Sequence, residues 1–157
     1  HAVKKYHPDM YIDCDDIEYP KNYYRINLGN DSISTSNSNP YGFVIDDSTS
    51  KIESNVEKVY ISAKIFMEAC PDDASIVMKT FKDDVEVSSK SMSLNKLNSI
   101  CDKWEFVNTV FPIDSSFFDA DKFQIFLYNN SARQVHIKSM DASFEYDDFA
   151  WNYISKQ

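Results

Sequence analysis

The sequence predicts an antiparallel β-sandwich or barrel of about eight strands, and three observations support that fold class. Apolar and polar residues alternate over several stretches with the two-residue period of half-buried strands. These stretches recur roughly every 10 to 20 residues, and clusters of Ser, Asn, Asp and Pro separate them. No stretch shows a long helical period. At 157 residues, 43% of them apolar, the chain is long enough for one domain with a substantial core.

The alternation is clearest at 57–68, where Val59, Ile61 and Ile65 share one side of the predicted strand. Two segments, 29–40 and 114–121, are rich in turn residues and are predicted as links without strands. The predicted strands, in chain order, are 23–28, 41–47, 57–68, 75–82, 83–94, 104–113, 122–129 and 134–146.

The predicted domain covers residues 11–146. Residues 1–10 mix charge, His and Pro without periodicity and are interpreted as a tail or linker, and residues 147–157 as a C-terminal tail. Because the chain begins at His1 rather than Met, we expect it to be part of a longer protein.

Charge and glycine content exclude several classes of function. The formal net charge of −9 argues against nucleic acid as a partner, because phosphate binding needs a basic field. With 2 glycines, the chain has neither a dinucleotide-binding fingerprint nor a phosphate-binding loop. No apolar run approaches the roughly 20 residues that span a bilayer, so we expect no membrane insertion within this segment.

The residues that most often carry catalysis form no recognisable constellation. His1 and His7 lie in the predicted tail, and His136 has no ligand-spaced partner on its strand. Paired carboxylates are frequent, but they fall mostly at predicted turns, where Asp is favoured for its hydrogen bonds to the backbone. We therefore expect no enzyme activity. The pairs are Asp15/Asp16, Asp46/Asp47, Asp72/Asp73, Asp83/Asp84 and Asp147/Asp148.

The cysteines are Cys14, Cys70 and Cys101, and none forms a Cys-x-x-Cys pair. A zinc ribbon or thioredoxin-like motif is therefore disfavoured. Cys70 and Cys101 each lie near the end of a predicted strand, and their spacing leaves open whether they form a disulfide.

Aromatic side chains on the side of the strands away from the core form the candidate binding surface. A pyranose binds by stacking its C–H face on a ring while amides and charges bond its hydroxyls. Two interpretations stand: an exposed carbohydrate or protein site, or a second small core covered by a loop, the N-terminal segment or a neighbouring domain. The predicted platforms are Tyr60, Phe66, Phe126 and Tyr128, and the predicted polar partners are Lys64, Asn108 and Gln124.

The order of segments over roughly residues 13–146 resembles the jelly-roll, carbohydrate-binding-module-like domains of extracytoplasmic bacterial proteins. Such domains place a Trp before an alternating strand, then an Asp-Lys pair before a strand that ends in an aromatic residue and Asn, then a last strand. The matching positions here are Trp104, Pro112, Asp121-Lys122, Tyr128-Asn129 and 135–140. The resemblance implies an antiparallel jelly-roll β-sandwich.

The same resemblance raises the question of a structural calcium ion, which many such domains hold near the first and last strands. Lys138 and Ser139 stand here where an Asp pair is usual. Asp16, Glu18 and Asp141 nevertheless offer the hard oxygen ligands that calcium takes. The alternative is that these carboxylates form a solvated acidic turn.

The sequence therefore predicts a non-catalytic, carbohydrate-binding-like accessory domain on the extracytoplasmic side of a bacterial cell, in the periplasm or at the surface. The alternative is a structural or protein-docking domain of a larger protein, such as a membrane glycosyltransferase or a surface protein, whose neighbouring domain covers the aromatic residues.

Overall fold

The computed structural model describes residues 22–70, 73–97 and 101–146. Within these residues the chain is built mainly from strands, joined by turns, one short α-helix and two single-turn 3-10 helices at Thr49–Lys51 and Leu94–Lys96. The elements are β1 (Tyr23–Asn27), β2 (Ile33–Thr35), β3 (Tyr41–Ser48), β4 (Lys58–Met67), β5 (Ala74–Lys82), β6 (Val85–Ser93), β7 (Trp104–Pro112), α1 (Ser115–Asp119), β8 (Lys122–Asn129) and β9 (Val135–Glu145).

The strands form nested antiparallel pairs: β1 with β9, β3 with β8, β4 with β7, and β5 with β6. Pairing of β4 with β9 and of β5 with β8 joins them into two sheets. One sheet has the order β1-β9-β4-β7, with β2 also paired to β9, and the other has the order β3-β8-β5-β6. This is the jelly-roll arrangement, and the predicted all-β sandwich is confirmed.

The core lies between the two sheets, where alternate residues of each strand point inward. Ile61 and Ile65 of β4 face Phe123 and Ile125 of β8 within one buried cluster, and all four side chains are essentially inaccessible to solvent. Burial of side chains of this size contributes about 1.5–3 kcal/mol each. The alternation that predicted these strands therefore reflects the packing of two sheets.

Two elements lie in segments that the sequence predicts as links. β2 is a short edge strand whose Thr35 hydroxyl donates to the Val135 carbonyl at 2.9 Å. α1 follows Asp114, whose carboxylate accepts from the Ser116 amide at 3.1 Å as an N-cap. Both elements are too short to show a period in the sequence, so the prediction of links without structure is wrong there.

A β-bulge interrupts β3 between Gly42 and Ile45. Phe43 has a φ of 49°, and its side chain joins the core, while Val44 packs on the outer side of the sheet. A Cβ atom on Gly42 would lie 2.9 Å from Thr35 Cγ2, so a larger residue there would displace β2. The bulge therefore reverses which residues of β3 face outward.

A disulfide joins Cys70, which follows β4, to Cys101, which precedes β7, with a Cα–Cα distance of 5.1 Å. The neighbouring residues are also tied together, since the Ala69 amide donates to the Asp102 carboxylate at 3.1 Å. The spacing in the sequence left open whether Cys70 and Cys101 are bonded, and the structure shows that they are.

The turn between β5 and β6 consists of Asp83 and Asp84, with φ of 51° and 63°. Positive φ at both central residues matches a two-residue hairpin turn, and the prediction that this carboxylate pair serves a turn is confirmed. The predicted tails 1–10 and 147–157 lie outside the described residues. In the part of the chain that the structure describes, no helix has the length and apolar character needed to cross a bilayer.

Candidate functional site

The predicted binding residues do not share one surface. Gln124, Phe126 and Tyr128 lie on β8, on the outer side of the β3-β8-β5-β6 sheet, which we call the four-stranded face. The other predicted residues lie on the outer side of the β1-β9-β4-β7 sheet, which we call the five-stranded face; they are Tyr60, Lys64, Phe66 and Asn108. The expectation of a single binding surface is therefore wrong. Alternation shows which side chains of a strand point outward, but it does not show to which sheet the strand belongs.

Three aromatic rings meet on the four-stranded face. Tyr41 of β3 pairs in register with Tyr128 of β8, and their ring centroids are 5.3 Å apart. The Tyr41 ring also meets the Phe126 ring edge to face at 5.5 Å. Phe126 is 4% exposed, whereas Tyr41 is 40% exposed. Phe126 is thus the floor of this cluster, and the two tyrosine rings offer surface to solvent.

Polar side chains of β5 and β6 continue the four-stranded face beyond the rings. The strand register places Ser75 beside Tyr128, and Lys79 beside Gln124. It also places Ser91 beside Val77 and Ser89 beside Lys79 on the edge strand β6. Hydroxyl groups therefore lie across the sheet from the tyrosines.

Two shallow depressions cross this face, with volumes of about 360 Å³ and 280 Å³. Tyr41, Phe126 and Lys79 line both of them. The larger depression is also lined by Tyr128, Ser75, Val77, Ser89, Ser91 and Asp73, and the smaller one by Val44, Gln124, Phe81 and Glu86. The combination of rings, hydroxyls, an amide and few charges is suited to a polar ligand with apolar faces.

Two side-chain contacts fix the polar groups of the smaller depression. The Gln124 amide donates to the Asp46 carboxylate at 3.1 Å. The Lys79 ammonium forms an ion pair with the Glu86 carboxylate at 2.7 Å. Gln124 and Lys79 therefore have defined positions before any ligand binds.

The five-stranded face also carries exposed aromatic and apolar residues, and the strand register places Ser143 of β9 beside Tyr60 there. Phe106 is 58% exposed and Val110 is 45% exposed. The Lys64 ammonium lies 5.6 Å from the centre of the Phe106 ring, and the Lys58 ammonium lies 5.4 Å from that of Tyr60. Two of the exposed rings are thus each covered in part by a lysine.

Phe66 lies at the end of the five-stranded face and packs between Trp104 and His136, with centroid distances of 5.7 Å and 5.9 Å. The Lys138 ammonium lies 4.3 Å from the centre of the Trp104 ring. His136 Nδ1 is 2.7 Å from the Ser34 hydroxyl. Phe66 is therefore a packed residue with ring neighbours, while Lys64 lies two residues earlier on the same strand and Asn108 lies on the adjacent strand β7.

The predicted calcium ligands fall partly outside the structure. Asp16 and Glu18 lie outside the described residues. Asp141, on the five-stranded face, accepts from the Tyr23 hydroxyl at 3.3 Å and lies 3.6 Å from Arg25 Nε. Among the residues that the structure describes, no three His, Cys, Asp or Glu side chains are grouped as a metal site. The calcium site stays a prediction.

Among the described residues, hydrogen bonding shifts the pKa of two side chains, Asp114 and Tyr146, and neither lines the depressions. The Ser116 hydroxyl, which donates to the Asp114 carboxylate, lowers the pKa of Asp114. The hydrogen bond that the Tyr146 hydroxyl donates to Glu53 raises the pKa of Tyr146.

Sequence reasoning missed Tyr41, which is central to the four-stranded face. Strict alternation along β3 assigns Tyr41 to the same side as Phe43 and Ile45, both of which are buried. The bulge at Phe43 interrupts the alternation of side chains along β3, so Tyr41 faces outward. Gly42 marks the position of the bulge in the sequence, because an isolated glycine in a strand often does.

No protein-family profile and no curated protein sequence matches the chain. Among solved structures, the chain is similar to the xylan-binding module CBM15, with a TM-score of 0.50 and 11% identity over 82% of this chain and 99% of that module. It is also similar to Xylanase10C of Cellvibrio japonicus, with a TM-score of 0.47, 10% identity and coverage of 83% of this chain. For VP2 of infectious bursal disease virus the TM-score is 0.47, with 8% identity and coverage of 78% of this chain.

The chain spans 28% of the xylanase structure and 32% of the VP2 structure. At these identities, the similarity to the xylan-binding module establishes the fold, which this chain shares over nearly the whole length of that module.

Proposed function

We propose that this domain is a non-catalytic carbohydrate-binding-like accessory module and that its ligand binds to the four-stranded face. The observation that carries the proposal is the cluster of Tyr41 and Tyr128 on the buried Phe126, beside two depressions lined with hydroxyl and amide groups. The shared fold with a xylan-binding module supports the proposal, although it does not identify a ligand.

The aromatic cluster has the physical properties that sugar binding needs. A tyrosine ring held by its neighbours loses little freedom when a pyranose stacks on it, so more of the contact energy appears as affinity. Tyr41 and Tyr128 contact each other, and Tyr41 also contacts Phe126, so both rings are positioned by packing. The side chains of Ser75, Ser89 and Gln124 then supply donors and acceptors for sugar hydroxyls.

The contacts of the carboxylate pairs support a binding role without hydrolysis. Asp46 accepts from Gln124, and Asp47 accepts from the Tyr24 hydroxyl at 2.8 Å. Asp83 and Asp84 form a hairpin turn. A glycosidase requires two carboxylates that face each other across the scissile bond, and the contacts of these pairs serve local structure instead.

An extracytoplasmic location on a bacterial cell, as part of a longer protein, is included in the proposal. The disulfide between Cys70 and Cys101 supports it, because disulfides persist in oxidising compartments and are rare in the cytosol. The proposal also includes a structural calcium ion with Asp16, Glu18 and Asp141 as ligands. The comparison of calcium with EDTA described below tests this ion.

A docking role is the second candidate, and the five-stranded face favours it. Phe106 and Val110 are exposed there on the edge strand β7. Exposed apolar residues beside an open strand edge are typical of surfaces that contact another protein. In this alternative the five-stranded face contacts a neighbouring domain of the parent protein.

A glycan array tests the proposal, with the purified domain assayed in calcium and in EDTA. We expect binding to a group of related glycans, and loss of that binding in a Tyr41→Ala/Tyr128→Ala variant. A requirement for calcium would support the proposed ion.

The matched control is Phe106→Ala, which removes an exposed ring from the opposite face. We expect it to bind as the wild type does. Absence of binding by the folded wild-type domain across a broad array would contradict the carbohydrate proposal and favour the docking role.

A further inference from the structure

The ion pair between Lys79 and Glu86 lies within the proposed binding surface. Lys79 lines both depressions, and Glu86 lines the smaller one. Their charged groups are 2.7 Å apart, and their side chains are 33% and 45% exposed. A ligand that occupies either depression therefore meets the ammonium of Lys79 with its charge already compensated by Glu86.

The remaining charges at these depressions are negative. Among the described residues that line them, Lys79 is the one basic side chain, whereas Asp73 and Glu86 are acidic. Asp46 adds a further carboxylate next to Gln124. Lys122, farther along β8, places its ammonium 5.3 Å from the centre of the Phe81 ring and 3.9 Å from the Asp84 carboxylate.

We propose that Glu86 determines charge specificity at this surface, so that it selects neutral glycan chains over chains that carry uronic acid or sulfate. This inference rests on the proposed carbohydrate function. A ligand carboxylate would lose part of its hydration and would find the nearby cation paired. It would also approach Asp73 and Asp46 in a field that is negative overall, given the net charge of −9.

Glu86 is well placed for a substitution that changes charge alone. It lies on β6, an edge strand of its sheet, opposite Phe81, and it is exposed. Glu86→Gln keeps the size and hydrogen-bonding shape of the side chain and releases the Lys79 ammonium. The freed ammonium then becomes available to an anionic group on a ligand.

The experiment uses an array printed with polysaccharides in matched pairs, each neutral chain beside its uronic-acid-bearing counterpart. Wild type is expected to bind the neutral member of its preferred pair. In Glu86→Gln, binding of the acidic member is expected to rise about fivefold relative to the neutral one at low salt, the size of one surface charge interaction. The gain should shrink as salt is added.

Two further variants identify the cause. In Lys79→Gln/Glu86→Gln both members of the ion pair are uncharged. The ratio of acidic-glycan binding to neutral-glycan binding should then return to that of the wild type. Glu145→Gln removes one negative charge from the five-stranded face, where Glu145 accepts from the Ser143 hydroxyl. It should leave the ratio unchanged.

The outcomes separate this inference from the proposed function. If wild type and every variant are folded and bind no member of any pair, the carbohydrate function is wrong and this inference fails with it. If wild type binds neutral chains but Glu86→Gln leaves the ratio unchanged, or if wild type prefers the acidic members, this inference alone is wrong.

Discussion

The two outer faces of the sandwich arise from the same sequence pattern but differ in what their aromatic residues contact. On the four-stranded face, Tyr41 and Tyr128 contact each other, and Phe126 is buried beneath them. On the five-stranded face, Phe106 is exposed and has a lysine ammonium over its ring. Outward-pointing aromatics are thus insufficient to define a binding surface.

The difference lies in neighbouring side chains and follows from strand register. The tyrosines of β3 and β8 are directly paired, and serines occupy the matching positions of β5 and β6. On the five-stranded face, the ring of Phe106 is paired with Lys64. A ring beneath an ammonium is already partly covered, which leaves less of its face open to a ligand.

The largest expected effect concerns a covalent link within the five-stranded sheet, between the end of β4 and the start of β7, rather than a binding residue. The Cys70–Cys101 disulfide closes a loop with a sequence separation of 31 residues. A Cys70→Ser/Cys101→Ser variant should lose about 3–4 kcal/mol of unfolding free energy, because the unfolded chain gains freedom. Urea denaturation measures this, and dithiothreitol should destabilise the wild type but not the variant. Equal stability of the two proteins would show that the disulfide contributes nothing.

A pair of phenylalanine substitutions compares the faces directly. Phe126→Ala should lower the free energy of unfolding by about 3 kcal/mol, because the ring is buried among Tyr41, Val44 and Val77. Phe106→Ala should change it by less than about 0.5 kcal/mol, since that ring is exposed. Thermal and urea denaturation of both variants measure the contrast. Equal losses would mean that the two faces do not differ in packing.

A smaller loss than that of Phe126→Ala is expected at α1, which connects β7 of one sheet to β8 of the other. Asp114→Ala removes the N-cap of this helix and should cost about 1 kcal/mol at neutral pH. The pKa of Asp114 is lowered in the folded state, so its contribution is fully present above 3.8, the ordinary value.

The contribution of Asp114 is then lost as the pH falls below 3.8 and through the lower pKa of the folded state. Stability curves of wild type and Asp114→Ala should therefore converge in acid. A difference that stays constant down to the acid transition would show that the carboxylate charge is not the cause.

The fold was predictable because alternation is a local signal. The strand predicted at 122–129 is the strand observed, and the strand predicted at 57–68 is observed at Lys58–Met67. The period of two reports that one side of each strand is buried, and both sheets bury their inner sides against a common core.

The candidate site was only partly predictable because it depends on pairing between distant strands. Phe126 and Tyr128 were identified from their outward positions, but their partner Tyr41 was hidden by the bulge at Phe43. Tyr60 was grouped with them although it lies on the other sheet. Sheet membership and bulges are set by tertiary contacts, which alternation within one strand does not contain.

The most direct test of the account is an NMR titration of the isotope-labelled domain with the neutral oligosaccharide that binds best on the array. We predict that amide shift changes will concentrate on β3, β8, β5 and β6, around Tyr41 and Tyr128, and will be absent at Phe106 and Val110. Shift changes confined to β4 and β7 would contradict the account, because they would place the ligand on the five-stranded face.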